Sequence, residues 1–122
     1  MEKSKINSST MITVIVILLV LILSAYILIK DNTPQIQITE ELAKCIGQNS
    51  ELYVQTGCPA CQKQEELFGN YVGYLTEFDC LEKANIQKCS VLGIEGTPTW
   101  VINGKKYQGL KQISELKSLA GC

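Results

Sequence analysis

Six cysteines are the feature that most restricts how this chain can fold. They are Cys45, Cys58, Cys61, Cys80, Cys89 and Cys122. Cytosolic proteins of this size seldom carry so many cysteines unless they bind a metal or perform redox chemistry, and an even number in an exported domain indicates disulfides. About 85–90 residues lie outside an apolar N-terminal stretch, which is enough for one small domain whose modest core gains from crosslinks.

The charge balance and the residue types exclude several classes of function. The net charge is −1, and all eleven cationic side chains are lysines, so the chain has no basic surface for a nucleic-acid partner and no arginine to bind phosphate. It also has no histidine. Because histidine is the commonest general base and metal ligand, its absence excludes a Ser-His or Cys-His hydrolase.

An uncharged apolar stretch over residues 11–29 precedes the cysteines. Nineteen residues at helical rise span just under 30 Å, about one hydrocarbon core. Lys3 and Lys5 precede the stretch and favour an N-terminus on the inside. We predict a single-pass plasma-membrane anchor with a cytoplasmic tail over residues 1–10 and an extracytoplasmic remainder. A cleaved signal peptide is the less favoured alternative, because the stretch is long and no A-x-A site follows it.

Beyond a linker over residues 30–38, helical and strand patterns alternate to the end of the chain. Ile36 and Ile38 could add a short edge strand within this linker. The first helix is predicted to start at the N-cap Thr39 and to end at Gly47. The other predicted elements are a strand over 51–55, a helix from Pro59 to Phe68, a strand over 74–78, a helix over 82–92, a hairpin of strands 99–102 and 105–108, and a final helix over 113–120. The pattern predicts one α/β domain over residues 39–122.

The sequence Cys58-Pro59-Ala60-Cys61 stands where a predicted strand turns into a helix. Residues three apart in a first helical turn lie on one face, close enough for their sulfurs to bond. A helix N-terminus stabilises a thiolate, so Cys58 is predicted to attack in disulfide exchange and Cys61 to resolve the mixed disulfide. The alternatives are a structural disulfide and half of a zinc site, which would take its other ligands from Cys80, Cys89 or acids.

A Thr97-Pro98 pair stands directly before the predicted hairpin. The order of these features resembles the thioredoxin fold: a strand, a C-x-x-C, a helix, and then a Thr-Pro pair before a hairpin and a closing helix. This resemblance implies a central mixed sheet flanked by helices behind the membrane helix. It also implies a cis Pro98 against the active cysteines, and a Thr97 backbone that pairs with an extended substrate segment. The alternative for Pro98 is an ordinary proline at a strand entry.

A closer resemblance covers about residues 42–122. It is carried by four features: CPACQKQEELFG over 58–69, the later Cys80 and Cys89, GIEGTPTWVINGKKYQG over 93–109, and the terminal Ala-Gly-Cys. Together they resemble the thioredoxin-like domain fused to, or partnered with, bacterial and archaeal homologues of vitamin K epoxide reductase. The resemblance implies a thiol–disulfide oxidoreductase that passes oxidising equivalents from a quinone-linked membrane oxidase to exported cysteine-containing proteins. Its cofactor would be the Cys58–Cys61 disulfide alone, with no metal.

Three positions depart from this pattern. Gly57 replaces the usual aromatic residue before the first active cysteine, Ala60 replaces a frequent histidine, and Leu52 stands near the place of the buried acid of ordinary thioredoxins. Glu65, one turn beyond Cys61, is a candidate for assisting proton transfer. The three departures at Gly57, Ala60 and Leu52 leave the direction of electron flow and the route of the proton open.

The four remaining cysteines can pair in three ways. Cys80–Cys89 with Cys45–Cys122 is favoured, because the first bridge is local and the second clamps both ends of the domain. As structural disulfides, each would contribute about 2–4 kcal/mol. The alternative is that Cys80–Cys89 or Cys122 relays electrons from another protein. A different class of function also stays open, namely a membrane-tethered peptide-binding or chaperone-like module whose disulfides are all structural.

Overall fold

Residues 7–30 and 36–122 are described by a computed structural model, in which they form two separate units. The first unit is the helix α1, Ser8–Lys30. Its segment Ser8–Ile29 has a mean hydropathy of 3.2 and is long and apolar enough to cross a membrane, as an N-terminal signal sequence also is. The helix begins before the predicted residue 11, because residues 8–10 are uncharged and the Asn7 carbonyl accepts the N–H groups of Thr10 and Met11.

The second unit holds four helices, four strands and a 3-10 helix within residues 36–122. The helices are α2 (Glu40–Asn49), α3 (Pro59–Glu66), α4 (Lys83–Val91) and α5 (Ile113–Ala120). The strands are β1 (Ser50–Val54), β2 (Glu77–Asp79), β3 (Thr99–Ile102) and β4 (Lys105–Gln108), and the 3-10 helix is Gly69–Tyr74. The predicted N-cap of α2 is present, because the side chain of Thr39 accepts the N–H of Leu42.

The strands form one mixed sheet in the order β2-β1-β3-β4. β1 runs parallel to β2, with Leu52 beside Glu77, and antiparallel to β3, with Leu52 beside Trp100. β3 and β4 form the predicted hairpin, with Asn103 and Gly104 both at positive φ in its turn. This mixed sheet flanked by helices confirms the α/β fold class and is consistent with a thioredoxin-like fold.

The hydrophobic core covers one face of the sheet. The buried side chains of this core are Ala43, Ile46, Leu52, Val54, Cys61, Phe68, Trp100, Ile102, Ile113, Leu116 and Ala120. Except for Phe68, which directly precedes the 3-10 helix, they come from β1, β3 and the three helices α2, α3 and α5, so these helices share the face. Burial of each large aliphatic side chain contributes about 1.5–3 kcal/mol. The sulfur of Cys61 is therefore held within the core and does not belong to a mobile loop.

The opposite face of the sheet is smaller and involves α4. Tyr53 of β1 and Phe78 of β2 stack there, with ring centroids 5.3 Å apart. The ammonium of Lys88 lies 3.4 Å from the Phe78 ring centre and 2.9 Å from a carboxylate oxygen of Glu51. Because the Lys88 ammonium lies over the aromatic rings and is also paired with Glu51, α4 is fixed on this side of β1 and β2.

Two predictions for residues 36–49 were wrong, one before the first helix and one at its end. Residues 36–39 form no strand; instead Ile38, just before the N-cap, packs on the core cluster that contains Ala43, in the manner of a hydrophobic staple. Gly47 does not end α2, which continues to Asn49. A Cβ at position 47 would overlap the carbonyl oxygen of Tyr74, so this glycine permits a close approach between two segments.

Two predicted element boundaries were also wrong. The strand predicted over residues 74–78 begins at Glu77, because Gly69–Tyr74 winds into a 3-10 helix. Tyr71 and Tyr74 stack on one side of that helix, and the Tyr74 hydroxyl donates to Glu40 at 2.8 Å. The helix α3 ends at Glu66, two residues before the predicted Phe68. Tyr74 thus belongs to a turn bonded to α2, whereas Phe78, at the other end of the predicted strand, lies in β2.

Candidate active site

A short loop after β1 delivers the chain to the C-x-x-C sequence. Gly57 adopts a φ of +83°, which allows the reversal that a residue with a side chain would resist. The preceding Thr56 is held by Asp79 at the end of β2, whose carboxylate accepts the Thr56 backbone N–H at 3.1 Å and its hydroxyl. These bonds, with the N–H of Leu81, hold the pKa of Asp79 below its usual value. The loop is thus fixed from the neighbouring strand.

Cys58 and Cys61 meet at the start of α3. Cys58 is the N-cap residue and Pro59 occupies the first helical position, where its missing N–H costs no hydrogen bond. The two cysteines are joined, with Cα atoms 5.3 Å apart, and the Cys58 sulfur accepts the N–H of Cys61 at 3.2 Å. Cys58 is half-buried, whereas Cys61 is 2% exposed. An incoming sulfur can therefore reach Cys58, while Cys61 is shielded behind it.

Thr97 and Pro98 lie against Cys58, as the resemblance implied. The peptide bond between them is cis, and Pro98 is fully buried. The sulfur of Cys58 lies 3.6 Å from the Thr97 hydroxyl oxygen and 3.7 Å from the Thr97 carbonyl oxygen. In the reduced protein the hydroxyl is placed to donate to a Cys58 thiolate. The pairing of Thr97 with a substrate backbone remains a prediction.

Replacement of Thr97 with valine should raise the thiol pKa of Cys58 by about half to one unit, since a hydrogen bond to a charged sulfur is lost and water replaces it only in part. The rate of iodoacetamide alkylation of the reduced chain, measured across pH, reports this pKa. Thr76→Val is the matched control, because the Thr76 hydroxyl bonds to the distant Gly47 carbonyl. Superimposable profiles for T97V and wild type would contradict the assigned contact.

The accessory cysteines lie in two further disulfides. Cys45 of α2 is joined to Cys122 beyond α5, with Cα atoms 6.0 Å apart. Cys80 after β2 is joined to Cys89 of α4, with Cα atoms 5.8 Å apart. This is the pairing that the sequence favoured. Whether either bridge is a structural crosslink or an electron relay remains a prediction.

Within residues 7–30 and 36–122, no group of three or more His, Cys, Asp or Glu residues could hold a metal.

Two polar residues at the site were not found from the sequence. One is Asp79, described above, and the other is Gln64, whose side chain is completely buried in α3. Gln64 follows Cys61 by three positions, so it lies on the same face of the helix. That spacing was the only available signal. Spacing alone does not identify Gln64, because a buried glutamine does not fit an apolar periodic pattern.

An acidic side chain lies beside the position that resemblance assigns to a buried acid. Leu52 is fully buried and apolar, but its parallel neighbour on β2 is Glu77. Glu77 is exposed at its surface, but partial loss of hydration, together with the negative charges of Glu65 and Asp79, raises the pKa of its carboxyl. The role of Glu65 in proton transfer remains a prediction. Glu77 lies on the same side of the sheet as Glu65, close enough for the Glu65 charge to affect its pKa.

A raised carboxyl pKa means that ionised Glu77 destabilises the fold. The protonated carboxyl gives its full contribution to the free energy of unfolding below the reference pKa of 4.5. That contribution is lost as pH rises through the higher pKa of the folded chain. Glu77→Gln should therefore stabilise the chain at pH 7, by less than about 1 kcal/mol because the side chain is solvent-screened, and should leave it unchanged near pH 4. Denaturant unfolding at both pH values tests this expectation. An equal gain at both would show that the charge is not responsible.

Comparison with known proteins supports the redox assignment. No family model matches the chain. The chain is similar to the thiol-disulfide oxidoreductase LTO1 of Arabidopsis thaliana, with 30% identity over 79 residues. The aligned region is 59% of this chain, and it spans only 21% of that relative. This similarity and the joined cysteines together support a thioredoxin-like redox domain.

Proposed function

We propose that this chain is a membrane-anchored thiol–disulfide oxidoreductase whose redox pair is Cys58 and Cys61. The observation that carries the proposal is the asymmetry of the pair. Cys58 is half-buried at the N-terminus of α3, whereas Cys61 lies in the core behind it. A structural disulfide needs neither an accessible sulfur nor a helix N-terminus, while an exchange enzyme needs both.

Oxidation of a substrate would proceed in two exchange steps. A substrate thiolate attacks the Cys58 sulfur, the Cys58–Cys61 bond breaks, and Cys61 leaves as a thiolate. A second substrate thiolate then attacks the substrate sulfur of the mixed disulfide, and Cys58 leaves as a thiolate. Two electrons have moved to the cysteine pair, and the substrate holds a new disulfide. Cys58 leaves readily because the helix N-terminus, the Cys61 N–H and the Thr97 hydroxyl surround its sulfur.

The proposal places this chemistry outside the cytoplasm. α1 would anchor the chain, with residues 1–10 inside and the domain outside, where disulfides persist. Its substrates would be exported cysteine-containing proteins, and a quinone-linked membrane oxidase resembling vitamin K epoxide reductase would reoxidise Cys58 and Cys61. The support for this partner is the sequence resemblance over residues 42–122 together with the apolar α1. The pair itself would serve as the redox cofactor.

The reduction potential of the pair tests the direction of electron flow. The full chain in detergent would be equilibrated with glutathione buffers, and the Cys58 thiol would be titrated by alkylation. A potential of about −120 to −180 mV is expected for a donor of disulfides. A value near about −270 mV would identify a reductant and contradict the proposed oxidase partner. A pair that cannot be reduced without unfolding the domain would contradict the exchange function and favour a peptide-binding module.

A further inference from the structure

The buried side chain of Gln64 joins the active-site helix to two other segments. Its Oε1 accepts the indole N–H of Trp100 in β3 at 3.1 Å and the backbone N–H of Lys111 at 2.7 Å. Its Nε2 donates to the Lys111 carbonyl at 3.0 Å. Gln64 and Trp100 are both completely buried. The three bonds therefore lie in the interior, where polar groups without partners would be costly.

The orientation of this amide follows from its partners. An indole N–H and a backbone N–H can only donate, so the atom between them must be the amide oxygen. The amide nitrogen then faces the Lys111 carbonyl, which can only accept. Lys111 thus has both of its backbone polar groups bound to one side chain, in the way that a neighbouring strand would bind them.

Lys111 lies two residues after Gly109, and this short segment leads back to the redox pair. The N–H of Gly109 donates to the carbonyl of Pro98 at 2.8 Å. The residue before that proline, Thr97, contacts the Cys58 sulfur through its hydroxyl oxygen at 3.6 Å. The contacts therefore form a ring. It runs from Cys58 along α3 to Gln64, from Gln64 to Lys111, and from the Gly109–Lys111 segment through the Thr97-Pro98 loop back to Cys58.

We propose that Gln64 is a positioning residue that sets the distance between the Cys58 sulfur and the Thr97 hydroxyl, and thereby the stability of the Cys58 thiolate. The inference rests on the exchange function proposed above. Gln64 contacts neither sulfur in the structure, and its influence passes through Lys111 and the loop that Gly109 holds. Without the amide, α3 and the Thr97-Pro98 loop keep their separate positions on the sheet but lose the bonds that join them.

The test compares the thiol pKa of Cys58 in variants of the full chain in detergent. Gln64→Met keeps the side-chain length and removes all three bonds, and it should raise the pKa by about half a unit, a roughly threefold loss of thiolate at pH values below it. Ser50→Ala is the control, because it removes a buried hydrogen bond to the Ile46 carbonyl at the far end of β1. Both variants lose stability, but only Gln64→Met should change the alkylation profile.

A double-mutant cycle shows whether the effect passes through Thr97. If it does, Gln64→Met should add little to the pKa change of Thr97→Val, whereas independent effects would add. Additive changes would overturn the assigned path. If Gln64→Met does not fold, Gln64→Asn provides the same test, because its shorter amide cannot span from α3 to Lys111. A Gln64 variant whose profile coincides with that of Ser50→Ala overturns the positioning role.

The failure of the proposed function gives a different result. Exchange with oxidised glutathione is measured on the wild-type chain before any variant. If the reduced wild type does not exchange, the exchange function itself is wrong. If the wild type exchanges and the Cys58 pKa is insensitive to Gln64, the exchange function stands and only the positioning role is wrong.

Discussion

Replacement of Cys58 with serine should reduce disulfide exchange by at least about 100-fold, because a hydroxyl cannot form the covalent intermediate. Replacement of Cys61 with serine should instead leave intact the attack of the Cys58 thiolate on a substrate disulfide, which is the reverse of the second oxidation step, and should block resolution of the mixed disulfide that forms. Cys58 is half-buried and stays able to attack or be attacked, whereas the buried Cys61 acts only after a mixed disulfide forms. We therefore expect C61S to accumulate mixed disulfides with its substrates, and C58S to accumulate none.

The measurement is exchange between the reduced chain and a disulfide-bonded model peptide, followed by non-reducing electrophoresis of the trapped species. The control is a double variant, Cys80→Ala with Cys89→Ala, which lacks the bridge between β2 and α4 but keeps the redox pair. It should exchange with the peptide at close to the wild-type rate. If trapping through Cys61 occurs instead of through Cys58, the assigned roles are reversed. If the wild type shows no exchange and C58S binds the peptide as the wild type does, the chain fits a peptide-binding module better than an exchange enzyme.

The same control variant separates two roles for Cys80–Cys89. A structural bridge can be removed with a loss of stability alone. An electron relay can be removed only with a loss of reoxidation by the proposed membrane oxidase, while exchange with the peptide is retained. The half-buried Cys80 and the buried Cys89 lie beside Asp79, which holds Thr56 near the active site.

The fold could be predicted where local signals agree with tertiary contacts. The hairpin of β3 and β4 and the helix α5 begin and end at the predicted residues, because Asn103-Gly104 fixes the turn and the apolar spacing of α5 matches a buried face. The predicted boundaries failed where a tertiary contact decides the local structure. Gly47 was predicted to end a helix, but it lies inside α2 because the Tyr74 carbonyl packs against it.

The candidate site could be predicted where chemistry follows from sequence spacing. The C-x-x-C spacing brings Cys58 and Cys61 together on one helical turn, and no other residue is needed for that inference. Gln64 and Asp79 could not be found in this way, because their partners are far along the chain. Gln64 bonds to Lys111 and Asp79 bonds to Thr56, 47 and 23 positions away. The two joined cysteines are thus encoded by local spacing, whereas Thr97, which contacts the Cys58 sulfur from 39 positions away, and the groups that hold the site in place depend on the fold.

Removal of the Cys45–Cys122 disulfide should have the largest effect on stability of any crosslink in the domain. Its cysteines are 77 positions apart, against 9 for Cys80–Cys89. In the chain-entropy model, closing loops of these lengths in the unfolded chain contributes about 4.5 and about 2.6 kcal/mol. We therefore expect Cys45→Ala with Cys122→Ala to lower the free energy of unfolding by about 2 kcal/mol more than Cys80→Ala with Cys89→Ala.

Denaturant unfolding of the full chain in detergent measures this difference. Trp100, the single tryptophan of the chain, is fully buried in the domain and reports its unfolding by fluorescence. The variant without Cys45 and Cys122 should also have a larger denaturant dependence, because its unfolded chain is less restrained and exposes more surface. The bridge ties α2 to α5 on the face of the sheet that holds Cys61. If its removal costs less than that of Cys80–Cys89, native packing of α2 on α5 determines the stability, and loop closure does not.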